Sequence, residues 1–297
     1  MSSKLPYIAA LITVTLWASA FPAVRYVLRH LSPEALMLYR FIIASTFLLS
    51  YCFIKKIPPP KFEDAPLFIL SGFVGLFLYM WAFNAGTVHV QAGISSFIIS
   101  SAPIITLVLS IFMINEKATP LIWVGAVTSF VGIGIIGLTN EGDFRLSFGI
   151  LLLVGAAFFT SFYNIFQKQI LEKYSPIQAT TYSIAFGSAP MFIFMPNMVR
   201  ELPSLHLGAH FIVAYLAIFP AAIAYFLWIY ALSKAEKVIY VTSFSYLSPF
   251  LATIFAFLWL GETIPAMAIL GGVVVIIGMI IAGMRKKGMA DKGAADR

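Results

Sequence analysis

Ten times between Leu5 and Met284 the chain runs for about 20 residues almost without charge, and each run stops at a turn former or a basic cluster. That recurrence constrains the fold more than any motif does. A run of this length as helix matches the hydrocarbon core of a bilayer. In hydrocarbon a helix can satisfy its own backbone polar groups, which a loop cannot. The spans fall at 5–28, 34–54, 65–86, 91–114, 118–138, 147–169, 176–196, 209–232, 238–260 and 264–284. Their longest connections, KKIPPPKFED (55–64) and NMVRELPSLHLG (197–208), are too short to fold as domains. Hydrophobic residues make up 61% of the chain and charged residues 10%. Soluble domains carry about 25% charge, so too little polar surface exists here to coat a globule. The first run outlasts a signal-peptide core and leads at once into further spans, so it is expected to remain as a span. The single cysteine, Cys52, lies inside a span and reads as packing.

The Lys and Arg residues set the direction. With the N-terminus in the cytoplasm, 14 of the 19 fall on the cytoplasmic side and three (Arg29, Arg145, Arg200) on the other, while Arg25 and Arg40 lie within spans. Cytoplasmic loops carry this excess, so both termini are expected inside, with residues 286–297 as a polar tail. The net charge of +7 is scattered between spans and is no nucleic-acid footprint. The expected partners are the lipid bilayer of the inner (plasma) membrane and a small-molecule substrate, with the chain as a monomer or homodimer.

The segment WASAFPAVRYVLRHLSP (17–33) returns as TSFYNIFQKQILEKYSP (160–176). Ser32-Pro33 falls on Ser175-Pro176, Leu28 on Leu171, Arg25 on Lys168 and, in the next span, Tyr39 on Tyr182, always 143 residues apart. Further on the offset is 146: Tyr79 meets Tyr225, Pro103 meets Pro249, Glu116 meets Glu262, Gly125 meets Gly271, Gly132 meets Gly278 and Gly137 meets Gly283. The chain thus divides into two five-helix units, 1–142 and 143–285. Five is odd, so the second unit enters the membrane from the opposite side. The expected fold is all-α integral membrane, ten transmembrane helices in two inverted repeats. Inverted repeats place a substrate site near the midplane between them.

The WASAFPAVR segment, the Ser-Pro before span two, Tyr39-Arg40-Phe41, the proline-bearing fourth and ninth spans and the Asn115-Glu116 and Gly261-Glu262 turns resemble the drug/metabolite transporter superfamily, EamA type. The likeness covers roughly residues 5–285. It implies ten helices around a central cavity, and a carrier that exports amino acids, other metabolites or drugs, or takes solutes up. The second unit departs from the first, with Ser183 at the place of Arg40 and Thr160 at that of Trp17, which implies an asymmetric site.

Charges within a span are costly and mark function by default. Arg25 and its counterpart Lys168 are placed at opposite mouths, to attract or gate a carboxylate. The structural alternative is snorkelling to the headgroups. Arg40 lies two turns deep, either against a cargo carboxylate or on carbonyls of a neighbouring helix. Pro103 and Pro249 each remove a backbone bond mid-span and are expected to kink their helices for gating. Trp17, Tyr79, Tyr163, Tyr225, Trp228 and Tyr246, with Asn84, Asn164, Ser100 and Ser245, supply an aromatic and polar lining suited to an amphipathic solute, each being as well able to pack. Glu116 and Glu262 are expected to cap spans five and ten. The glycines of those spans read as close helix packing.

No metal-ligand spacing and no Gly-rich phosphate loop occurs, so no cofactor and no ATP-driven cycle is expected. No Asp or Glu lies deep in a span, which weakens a carboxylate proton relay. The expectation is therefore a secondary transporter and not an enzyme, exporting amino acids or similar metabolites by alternating access. An uptake permease or multidrug exporter is the alternative within transport; a lipid-modifying membrane enzyme is the alternative outside it.

Overall fold

The structure, a computed structural model, describes residues 5–113, 120–138, 144–234 and 243–283. Every regular element among them is helical, and the helices string into ten rods. The first six are α1 (Leu5–Val27), α2 (Pro33–Ile54), α3 (Phe62–His89), α4 (Ala92–Met113), α5 (Pro120–Gly137) and α6 (Phe144–Ile170). Next, α7 opens as Pro176–Ser188, and α8 runs through Leu207–Leu216, Ala217–Ile223 and Ala224–Lys234. The last two are α9 (Ser248–Leu260) and α10 (Ala266–Gly283). Six rods (α1 to α4, α6 and α8) are long and apolar enough to cross a bilayer, and α5, α9 and α10 contain shorter apolar helices. The chain is a multi-pass membrane protein.

The repeated Ser-Pro pairs start helices in the same way. Ser32 caps α2, its hydroxyl accepting from the Ala35 N–H at 3.3 Å, with Pro33 as first helical residue. Ser175 caps α7 with Pro176 in that position, and Gln178 completes a reciprocal capping box. Proline suits the first turn because its missing N–H would have found no partner there.

Two expected spans differ from the reading. Along 176–196, α-helix ends at Ser188, a 3-10 stretch follows over Ala189–Phe194, and a short helix covers Met195–Glu201. Pro190 and Pro196 each stand in the first turn of a new segment, where their lack of a donor is tolerated. Of the ninth span, 238–242 lies outside the described residues, and Ser243–Leu247 is 3-10 before α9.

Small residues set the closest contacts. A Cβ on Gly125 would stand 2.4 Å from the Gly278 carbonyl oxygen, and one on Gly271 would stand 2.6 Å from that of Gly132. Low numbers on α5 meet high numbers on α10, so the two run antiparallel. Between these contacts the Ser129 hydroxyl donates to the Val275 carbonyl at 3.1 Å. The α2–α7 pair is also antiparallel: Ser45 Oγ donates to Ser188 Oγ at 3.1 Å and Cys52 Sγ to Thr181 Oγ1 at 3.4 Å. Cys52 is buried there as a free thiol. α3 crosses α7 at Gly72–Gly187 and α6 at Gly75–Tyr163. Two rods change winding mid-length. α3 is π-helical over Phe73–Leu78 and α8 over Ala217–Ile223, stretches that largely coincide at an offset of 146. Such π turns recur at functional positions in helices.

Candidate functional site

Pro220 shapes the centre of the bundle. It sits in the π stretch of α8, and having no N–H it cannot bond the Leu216 carbonyl four residues back. That carbonyl accepts the Arg40 Nε–H at 3.1 Å, while the carbonyl of Pro220 itself accepts the Trp17 indole N–H at 3.2 Å. One irregular turn of α8 thus holds the two side chains that stand out most in the apolar spans.

Around this turn the aromatic residues converge. The Trp17 ring lies 5.4 Å from Tyr225, edge on, and 5.2 Å from Trp228. Tyr163 meets Tyr225 edge on at 5.8 Å. Gly75 makes room for it, since a Cβ there would overlap Tyr163. Tyr79 stacks on Phe83 at 5.8 Å, and Phe83 meets Phe21 edge on at 5.5 Å. Edge-to-face geometry of this kind suits the ring quadrupoles. Four expected lining residues (Trp17, Tyr163, Tyr225 and Trp228) therefore form one cluster from α1, α6 and α8.

Arg40 is 4% exposed. Its Nη1 reaches the Met80 sulfur at 3.8 Å, and Tyr79 and Tyr225 lie within electrostatic range of its guanidinium. Among the described residues no carboxylate pairs with it. Tyr163 is also 4% exposed, and its hydroxyl has no hydrogen-bond partner. A buried cation whose partners among the described residues are a carbonyl and a thioether is only partly compensated for its desolvation, and a buried hydroxyl without a partner is not compensated.

The other expected residues lie elsewhere. Asn84 is buried, its amide donating to the Pro33 carbonyl at 3.1 Å, so it ties α3 to the start of α2, while its Oδ1 has no hydrogen-bond partner. Asn164 is exposed and donates to Thr106 Oγ1 at 3.3 Å. Ser100 is half-buried and donates to the Ser96 carbonyl where α4 breaks. Ser245 is half-buried in the 3-10 stretch, and the Tyr246 side chain lies outside the described residues. The two prolines do interrupt their rods: Pro103 begins the second segment of α4, Ala102–Met113, and Pro249 the first turn of α9. Lys168 is exposed in the last turn of α6.

Arg25 is bonded to protein groups. Its Nε donates to Glu262 Oε1 at 2.7 Å, and its Nη1 to the carbonyls of Thr87 and, at 3.0 Å, Val88. Glu262 is a cap, as expected, but of a different helix. Its Oε2 accepts the N–H of Ala92, first residue of α4, at 2.8 Å. Glu116 lies outside the described residues.

Sequence reasoning picked out Gln167 as a hydrogen-bonding amide but missed its partners Ser71 and Ser183, and it missed Pro220. The amide of Gln167 donates to Ser183 Oγ at 2.8 Å and Ser71 Oγ at 3.2 Å. A mid-span proline is a readable signal and would have pointed to Pro220, as it did to Pro103. Among the described residues no three His, Cys, Asp or Glu side chains gather as a metal site. His206 instead caps α8, and His210 pairs with the Tyr39 hydroxyl at 2.9 Å.

Helices that are apolar over bilayer length, broken mid-depth beside a buried arginine and an aromatic cluster, define the class: a polytopic membrane transporter. Within it the chain belongs to the EamA-like transporter family, whose profile matches residues 4–138 and 147–284. It is 35% identical to the uncharacterized transporter YdfC of Bacillus subtilis, over 90% of this chain and 87% of that one. It is 30% identical to a probable terminal-alkyne amino-acid exporter of Streptantibioticus cattleyicolor, over 92% and 91%. A solved crystal structure at 17% identity superposes with a TM-score of 0.65, covering 96% of this chain and 99% of that one, which speaks to the fold.

Proposed function

We propose that the chain is a secondary transporter exporting amino acids or similar small metabolites across the inner membrane, by alternating access around the aromatic cluster. The observation that carries the cargo class is Arg40. A guanidinium this buried and without a protein carboxylate gains most from a cargo that brings one, held by two parallel hydrogen bonds. The aromatic rings suit the rest of an amphipathic solute, and the likeness to an amino-acid exporter favours the same class.

Several features support ten spans in two inverted units with both termini inside. The basic residues crowd one side. The π stretches of α3 and α8 fall at matching positions. At the α5–α10 seam Gly125 meets Gly278, while their counterparts, Gly271 and Gly132, meet each other. One contact appears twice, as a two-fold axis between the units requires.

A second reading has its own observation. The Arg40 bond to Leu216 makes it a brace for the carbonyl that Pro220 leaves free. The two readings part in proteoliposomes, using a panel of radiolabelled amino acids and their amides, which lack the carboxylate. Arg40→Gln should cut amino-acid transport about tenfold or more, the scale of one lost charge-assisted bond, and should leave amide transport at its low level. Arg40→Lys, which keeps the charge and loses the fork, should fall between. If Arg40→Gln slows both cargoes equally, or neither, the arginine is a brace and the carboxylate reading fails.

A further inference from the structure

Residues related by the repeat are buried unequally. Phe21 is 7% exposed, yet its counterpart Asn164 is exposed. Pro249 is buried, yet Pro103 is exposed. Ala252 is 0% exposed, yet Thr106 is half-buried and bonded to Asn164. In each pair the buried member belongs to α1 or α9 and the accessible one to α6 or α4. The opposite also occurs: Ser101 and Ile104 of α4 are buried while their counterparts Leu247 and Phe250 are exposed, so the two units are covered on different faces.

At the Arg29-bearing face stands the ion pair of Arg25 and Glu262. It joins four elements at once. Arg25 extends from α1, two carbonyls that it holds end α3, the N–H that Glu262 accepts starts α4, and Glu262 itself sits in the α9–α10 turn. Gly261 makes that turn, capping α9 with φ +64, a conformation that favours glycine. The side chains of Arg25 and Glu262 are 23% and 9% exposed, so the pair is partly withdrawn from water and counts for more than a surface bridge. Trp17 lies eight residues below Arg25 on α1, about 12 Å at the helical rise.

We infer that Arg25 and Glu262 are a latch that holds α1, α3, α4 and the α9–α10 turn together at the Arg29-bearing face and separates in each cycle. The inference rests on the inverted-repeat reading above, but its test needs no cargo, so the failure of one is separable from the failure of the other. Two reporters are built in a Cys52→Ser background. Ala18→Cys lies two turns below Arg25 on the same stripe of α1, where Ala18 is fully buried. Asn164→Cys lies at an exposed position of α6, toward its C-terminal end. A membrane-impermeant maleimide is applied to intact cells for the first reporter and to inverted vesicles for the second.

Glu262→Gln and Arg25→Gln should raise labelling of the Ala18→Cys reporter about tenfold, as expected when a contact made in one state alone is removed. Both should lower labelling of the Asn164→Cys reporter, because opening one mouth depopulates the other opening. Arg25→Lys keeps the charge but cannot hold the carboxylate and the carbonyls together. It should move both readings the same way by less, and it stands in if a neutral variant fails to accumulate. The latch is overturned if all three variants label as the parent does. It is equally overturned if labelling rises at both reporters together, which is the mark of general loosening.

Discussion

Tyr163 bears a hydroxyl that burial has removed from water and given no partner. An orphan of this kind costs about 1–3 kcal/mol. Tyr163→Phe should therefore leave the melting temperature of the purified protein unchanged or raised. If the hydroxyl is kept for cargo, the same change should lower amino-acid transport several-fold. Equal transport with a raised melting temperature would make the group an idle remnant. Side chains such as Arg40, Trp17 and Tyr163 were legible in the sequence because charge and large polar aromatics are conspicuous against an apolar background. Asn84 was picked out too, but its partner was not. Residue type says what a group can bond to, and only the packing of α3 on α2 says that Pro33 supplies the acceptor. Glu262 was legible as a cap, but the helix that it caps lies 170 residues away in the chain.

Broken rods are the theme among the elements. Pro103→Ala and Pro249→Ala should each let a continuous helix form across the break, and transport rate should fall more than folded yield. Wild-type rates in both would make the breaks incidental. Pro220→Ala gives α8 back an N–H that competes with Arg40 for the Leu216 carbonyl, so Arg40 should loosen. The expected outcome is normal membrane accumulation with impaired transport, seen by comparing quantitative blots with initial rates. The matching π stretch of α3 carries no proline, so no residue in it marks the change of winding as Pro220 does in α8. The interruption in α7 was missed for the opposite reason. Pro190 and Pro196 were in plain view, but the hydropathy of the stretch outweighed them.

For the whole molecule the expected topology is ten spans with both termini inside. A reporter fused after Arg297 should be active in the cytoplasm, and one inserted in the 140–147 connection should be active on the far side. The reverse pattern would overturn the orientation. At the seam between the units, Gly125→Leu has no room beside Gly278 and should abolish folded yield, whereas Gly134→Leu, with open space around it, should be tolerated. The seam has a consequence for how such a chain comes together. Its closest approaches include backbone carbonyls, and α5 comes from one half of the chain and α10 from the other. Residues 1–142 and 143–297, produced as two separate polypeptides in one cell, should find each other in the membrane and regain activity, as a lock and its casting mould would close without a hinge pin.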